Sequence, residues 1–407
     1  MILFVCRTTM DGFNLGINYF PSSKAMYWWK SFDLNEVKAD FNRIQGAGFD
    51  SVRIFLIWED FQPAPKSVSY GSMENLKAVA DVALSLDIRL IITLYTGHMS
   101  GVNWIPEWAL EDRPECNLRF RTYSNGKIRN AKIRNWYEEE EILAAQEFLA
   151  YEVARFLGDH EAILAWDIGN ENSNCTVPSS KDKALTWLER ITAAIRKVSK
   201  KPITIGLHAE DIEEDRKLGP AEAAMFCDFL CMHGYPIYVD YSVKATDAFI
   251  LPFLGLVTKW LGGGKEVFFE EFGLPNIPAG LSRFVSLSEE ETAAFISESL
   301  ELLYNFGFIG AMIWCYSDYC TTLWDKPPFD DALHERHFGL WYPFGGGLSE
   351  KKAVQKVREF RSKISQLSRK SKESFDWIDV EREKFYEAPK TYLRHLYDNF
   401  RSFYGLS

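Results

Sequence analysis

The chain has 407 residues, 47% of them hydrophobic and 25% charged, the balance of a globular protein with a full buried core. Its formal charge is −11; residues 351–407 hold 14 Lys/Arg against 8 Asp/Glu, so residues 1–350 carry −17. That acidity argues against a nucleic-acid partner, and no apolar run approaches the roughly 18 residues that a membrane-spanning helix needs.

The chain opens on Met1–Cys6, an apolar run cut short by Arg7 and too brief for a signal-peptide core, so a cytoplasmic protein is expected. From residue 14 onward, short β-branched or apolar runs alternate with amphipathic stretches. Strands are expected at 14–19, 51–57, 89–95, 162–168, 203–208, 228–233, 266–271 and 309–315. A helix follows each, at about 34–47, 73–86, 138–157, 181–198, 218–226, 242–261, 288–306 and 350–366. Two begin with capping boxes, Asp33 with Glu36 and Ser288 with Glu291. Eight β/α units in series spell an α/β chain of the (β/α)8 TIM-barrel type. The rival, an open doubly wound sheet, wants a Gly-rich turn after its first strand, where Asn18–Pro21 stands instead.

Segments before strands are short, as at Gly46–Gly48 and Leu86–Asp87, whereas those after strands are long and rich in Trp, His and acidic residues. Barrel chemistry sits on the loops after strands. The longest, about residues 96–137, carries His98, Trp104 and Trp108 and is expected to wall one end of a cleft. The 13 Trp suit sugar stacking as well as core packing, because several fall in polar stretches.

Past residue 367 the composition shifts. Ser368–Ser374 reads as a polar linker, and Leu393, Leu396, Tyr397, Phe400 and Tyr404 recur at helical spacing after Pro389. The expected organisation is a barrel over 1–367 and, over 368–407, a linker with a short helical C-terminal extension. The apolar face of that helix needs cover, by the barrel in preference or by a second copy of the chain as a homo-oligomer. The seven cysteines, Cys6, Cys116, Cys175, Cys227, Cys231, Cys315 and Cys320, are odd in number and form no CxxC pair, so reduced thiols are expected.

The fourth strand ends in Asn170-Glu171 and the seventh in Glu270-Glu271, which puts carboxylates at the active end of two strands. A single strand-end Glu is more simply a salt-bridge partner. Two of them, in company with Asn170, Arg53, His233, Tyr235 and Trp314 at other strand ends, match what glycoside hydrolysis requires: one protonated carboxyl and one ionised. Strand alternation lets only one of Glu270 and Glu271 face the mouth. Two rivals stand beside this reading. Glu171, Glu271, His98 and His233 could ligate the metal of a sugar isomerase or lyase, though no HxH or HExxH spacing supports it. A non-catalytic sugar-binding barrel is the other, but it is expected to have lost a carboxylate.

These residues resemble glycoside hydrolase family 5, in the clan of barrel enzymes with the acid/base on strand 4 and the nucleophile on strand 7. Asn170-Glu171 is similar to that clan's acid/base motif and Glu271-Phe272-Gly273 to its nucleophile motif. Ser51-Val52-Arg53, His233-Gly234-Tyr235, Trp314 and the run His337–Leu340 extend the likeness over residues 14 to about 360. Asn172 stands where Pro is frequent in the family, and Cys315 follows Trp314, two departures that bear on the subfamily.

The resemblance implies that Glu171 acts as acid/base and Glu271 as nucleophile, with retention of configuration, no cofactor and no metal. It implies Asn170 on the sugar's 2-hydroxyl, Arg53 keeping Glu271 ionised, Tyr235 on the nucleophile, a raised pKa for Glu171, and Trp314 as stacking floor. His98 and His233 are expected to contact sugar. Gly97–Gly101, Asn103–Pro106 and Tyr27–Trp29 look most similar to the β-mannosidase and mannanase branch, which adds Trp29 and Trp104 as substrate contacts. An exo-acting β-mannosidase on imported oligosaccharides is the expected function; an endo-acting mannanase or glucanase and a β-glucosidase are the family alternatives.

Overall fold

The computed structural model describes residues 12–115, 118–277, 286–364, 366 and 371–406. The expected boundary at 367–368, Cys6 and Cys116 lie outside the described residues, and the five described cysteines are unpaired. No helix among the described residues is long and apolar enough to cross a membrane.

Eight parallel strands form the central sheet: β1 (Asn14–Asn18), β2 (Ser51–Ile57), β3 (Arg89–Thr96), β4 (Ile163–Asn170), β5 (Ile203–Gly206), β6 (Leu230–Gly234), β7 (Val267–Phe272) and β8 (Gly310–Ile313). Hydrogen-bonded ladders run in the order β5-β4-β3-β2-β1-β8-β7-β6. The gap between β5 and β6 is closed by a parallel bridge of His208 with His233, whose amide donates to the Leu207 carbonyl at 2.8 Å. The sheet is therefore a (β/α)8 barrel.

Side chains fill the barrel. Ile91, Ala165, Phe229, Cys231, Phe268 and Met312 make one buried layer. Gly16 on β1 leaves room for it, since a Cβ there would lie 2.6 Å from the Met312 side chain.

The helices are α1 (Leu34–Gly46), α2 (Tyr70–Ser85), α3 (Glu140–Leu157), α4 (Lys181–Arg196), α5 (Pro220–Phe226), α6 (Ile250–Leu261), α7 (Glu289–Asn305) and α8 (Lys352–Ile364). Ser288 and Glu291 form the reciprocal capping box expected of them. Asp33 caps α1 but Glu36 does not reciprocate, because its carboxylate is taken by Ser23 and Lys24. The helix expected from 242 starts at Ile250, since Asp247 accepts the Val243 amide and holds the preceding residues in a turn.

The long segment after β3 is not a bare loop. Four short strands, His98–Met99, Val102–Trp104, Arg121–Ser124 and Lys127–Arg129, make a small sheet at the barrel mouth, and Leu110–Pro114 pairs with Ala131–Ile133.

The C-terminal helix, α9 (Pro389–Phe403), lies on the barrel and buries Leu393, Leu396, Tyr397 and Phe400. Phe253 of α6 meets Tyr397 at 4.9 Å and Phe400 at 5.7 Å between ring centroids. Arg394 pairs with Asp240, and the Tyr386 hydroxyl donates to the Asp211 carbonyl at 3.0 Å, which ties the extension to the loops after β5 and β6. The face considered for a second copy is thus spent on the barrel.

Phe400→Ala should cost about 3–5 kcal/mol through the cavity it leaves, read as a fall in the denaturant midpoint. Phe403→Ala, on the exposed face of the same helix, should stay within about 0.5 kcal/mol.

Candidate active site

The site is assembled on Arg53, an inward side chain of β2 with no exposed surface. All of its guanidinium nitrogens are engaged. Nε donates to Thr93 Oγ1 at 2.9 Å, Nη1 to Glu271 Oε1 at 2.7 Å, and Nη2 to Asp167 Oδ2 at 2.7 Å and Asn170 Oδ1 at 2.9 Å. One cation thereby fixes groups on β3, β4 and β7. Gly206 on β5 makes the approach feasible, since a Cβ there would lie 3.0 Å from Nη2.

Glu171 stands just past β4 with φ 47° and ψ 47°, a left-handed conformation that costs a non-glycine residue on the order of 1–3 kcal/mol. The turn is held by the Glu171 amide, which donates to the Gly206 carbonyl at 3.0 Å, and by Asn174 Nδ2, which donates to Glu171 Oε2 at 3.0 Å. It aims the carboxylate at three imidazoles: His233 Nδ1 lies 2.9 Å from Oε1, His208 Nδ1 3.8 Å and His98 Nε2 3.9 Å from Oε2. Glu271 closes the group. Its Oε2 accepts from the Tyr235 hydroxyl at 2.8 Å and lies 3.7 Å from His233 Nδ1. Donor atoms of Glu171, His233 and Glu271 all fall within 4.8 Å of one another.

Glu270 corrects the alternation argument. Between β6 and β7 the pairing steps from Met232–Phe269 to His233–Glu271, so Glu270 is an extra residue in β7. The shift brings both carboxylates toward Arg53, Glu271 at the mouth and Glu270 beneath it, 3.5 Å from Nη2 and 3.7 Å from His233 Nε2. Only Glu271 reaches the mouth, but not because its neighbour points away from the barrel.

Burial and charge set the protonation states. Burial disfavours the His233 imidazolium, but the Glu271 charge and the contact with Glu171 outweigh it and push the pKa up to about 10. Burial likewise opposes ionisation of Glu171, yet the imidazoles of His208, His233 and His98 hold it well below the usual carboxylate range. Glu271 is raised, by burial first and by the Glu171 charge, against the pull of His233 and Arg53. The order is the reverse of the raised Glu171 that the resemblance implies, and its cause is the ring of imidazoles. Asp167, buried beside Glu270, is raised to about 7. Burial lowers His98, whose Nδ1 is engaged by Asn103 Oδ1 at 2.8 Å.

The expected residues divide into two groups. Asn170, Arg53, His98, His233 and Tyr235 gather around the two glutamates, while Trp314 packs on Phe20 and Phe55, the ring beneath the Arg53 guanidinium; Asn170 Nδ2 donates to the His98 carbonyl at 2.9 Å, which fixes its amide. Trp29 and Trp104 stand apart from the two glutamates. The Trp29 indole donates to the Phe55 carbonyl and packs on Phe61, while Trp104 donates to the Met99 carbonyl between Tyr27 and Tyr123. Both are buried wall material with no contact to either carboxylate. Two residues went unnoticed in the sequence. His208 lies just past β5, where the barrel closes, and Glu335, in the turn Leu333–His337, accepts from the Ser100 hydroxyl at 2.9 Å near the Trp314 indole.

The fold and the paired carboxylates at the fourth and seventh strands define a barrel glycosidase. Comparison with known proteins is specific about which. The family model Cellulase (glycosyl hydrolase family 5) matches residues 8–318, so the chain belongs to glycosyl hydrolase family 5 and is a glycoside hydrolase. Mannan endo-1,4-beta-mannosidase A of Emericella nidulans is 24% identical over 331 residues, 77% of this chain and 78% of that protein. Among solved structures, GH5_18 from Streptomyces cattleya in complex with GlcNAc superposes with a TM-score of 0.74 at 20% identity, covering 89% of this chain and 82% of its own. The exo-beta-1,4-mannosidase Op5Man5 from Opitutaceae bacterium strain TAV5 gives 0.71 at 22% identity, covering 87% and 60%.

The raised pKa of His233 has a consequence for stability. A group raised on folding contributes stability that is complete below its unfolded pKa, here about 6.5, and lost as pH climbs through its folded value of about 10. The stability gap between wild type and His233→Gln should therefore be widest below pH 6.5 and shrink by pH 10, followed by urea denaturation across that range. A gap independent of pH would show that the imidazole is neutral in the folded protein.

Proposed function

We propose that the chain is a retaining, exo-acting β-mannosidase that works in the cytoplasm on β-linked oligosaccharides. The observation that carries retention is the approach of Glu171 and Glu271 to within 4.8 Å, close to the roughly 5–5.5 Å of retaining pairs and short of the spacing that admits a water between carboxyls. Glu271, fixed by Arg53 and Tyr235, attacks the anomeric carbon, and Glu171 protonates the departing oxygen and later activates water.

Glu171 obtains its proton from His233. Passing the proton along the 2.9 Å hydrogen bond from Nδ1 to Oε1 turns imidazolium and carboxylate into imidazole and carboxylic acid without changing the net charge of the site. A sugar packed over Glu171 excludes water and favours its neutral form, which drives the transfer in the productive direction.

Exo action is supported by the wall over β8, β1, β2 and β3. The Tyr27 hydroxyl donates to the Pro327 carbonyl at 2.6 Å, Arg121 pairs with Asp330 at 2.7 Å, and Ser100 bonds Glu335, so the loops after β1, β3 and β8 are latched together. Such a wall suits a cleft closed at one end. The mannoside preference rests on the endo-mannosidase and exo-mannosidase named among the similar proteins.

The test is release of 4-nitrophenol from β-mannoside, β-glucoside and β-galactoside, with product analysis on a mannan oligosaccharide and EDTA as control. The β-mannoside should be the best substrate, mannose the first product, and the β-anomer the first form seen by NMR. Glu171→Gln and Glu271→Gln should each lose at least about 1000-fold in kcat, the scale set by loss of a group acting in the transition state. Activity that survives Glu271→Gln, or disappears with EDTA, would sink the carboxylate mechanism.

A further inference from the structure

Glu335 is an expensive residue where it stands. Its residue exposure is 7%, yet no Lys or Arg among the described residues lies within ion-pair distance of it. The titratable groups that face it are His334, with Nε2 3.4 Å from Oε1, Glu271 and Glu171 from β7 and β4, Tyr235 after β6, and Cys315 and Tyr319 after β8. A carboxylate there meets two others of like charge. If its task were only to tie Ser100 to the loop after β8, a neutral amide would do so without the desolvation cost of an ion.

We propose that Glu335 reads the far end of the terminal sugar, its carboxylate accepting hydrogen bonds from the 4- and 6-hydroxyls of the unit whose anomeric carbon lies at Glu271. The inference rests on the exo-acting reading given above. Glu335 belongs to the wall over β8, β1, β2 and β3, bonded to Ser100 after β3 and within electrostatic reach of Glu271 and Glu171, and that wall stands over the part of the ring remote from the departing group. Ser100 holds one of its roughly four acceptor positions and His334 Nε2 stands 3.4 Å from Oε1, which leaves positions for the 1,3-related 4- and 6-hydroxyls. Sugar hydroxyls then supply the donors that stabilise the buried charge. Burial, opposed by Ser100 and reinforced by the Glu271 charge, raises its pKa to about 7, so the acceptor weakens under mildly acidic conditions.

Wild type and Glu335→Gln are to be compared on the 4-nitrophenyl glycoside that the panel above selects and on its 4-deoxy and 6-deoxy analogues. The variant should lose about 10- to 100-fold in kcat/KM on the parent, mostly through KM, because a charge-assisted hydrogen bond is replaced by a neutral one. It should lose less on each deoxy analogue, which keeps only one of the two contacted hydroxyls. Equal losses on all three substrates overturn the proposal and leave Glu335 a loop tie. A second arm needs no variant: in wild type, KM for the parent should rise as pH falls below about 7, and KM for each deoxy analogue should rise less. Parallel KM profiles overturn the proposal even if Glu335→Gln does not fold. Internal cleavage of oligosaccharides would remove its exo-acting premise, whereas terminal release with equal losses would fail Glu335 alone.

Discussion

Everything at the mouth of this barrel depends on a guanidinium with no exposure to water. Arg53 carries a charge that cannot be neutralised by losing a proton, so its burial is tolerable only if every N–H finds an acceptor. The acceptors come from β3, β4 and β7, and the strands that supply them are held in register by the same contacts. Removing a partner from such a cluster typically costs about 3–5 kcal/mol, because the remaining charge stays buried. The barrel and its chemistry are therefore not separable: the group that fixes Glu271 also pins the strand ends together.

The surplus of carboxylates around that cation explains the proton balance. Asp167, Glu270, Glu271 and Glu171 converge on Arg53 and His233, and a second positive charge on His233 is the arrangement that makes four acids tolerable at this depth. A proton kept on an imidazole between two carboxylates also suits the double displacement proposed above, in which one carboxyl gives and regains a proton while its partner is alternately free and esterified.

Most of the architecture was legible because its signal is periodic. The strand and helix alternation of residues 14–364 gave all eight units, and the strand ends gave Arg53, Asn170, Glu171, His233, Tyr235, Glu271 and Trp314 as neighbours. What escaped was set by contacts distant in sequence. The extra residue at Glu270 is a mismatch between two strands, which no single strand reveals. Trp104 lies in a polar-looking segment that folds as a small sheet on the mouth and is covered by Tyr27 from the loop after β1, while Trp29, in that loop itself, is buried against Phe61. His208 enters because β5 and β6 close the barrel through it, and Glu335 because its turn, 64 residues beyond Glu271, is carried back over the cleft. Neither residue sits in a motif whose spacing announces a function.

The docking of α9 on α6 bears on how the chain is made. Helix α6 is buried on nearly every side, by the barrel on one face and by Phe400, Tyr397 and Trp377 on the other. During synthesis the barrel strands emerge first, at about 5–20 residues per second, while the cover for α6 arrives only with residues 377–400. For those seconds the nascent protein carries an apolar stripe that α9 must reach before a chaperone or another nascent chain does. A message truncated ahead of residue 389 would spare all eight strands and both glutamates, yet yield a barrel with that stripe permanently bare, and its fate would be decided by aggregation rather than by catalysis.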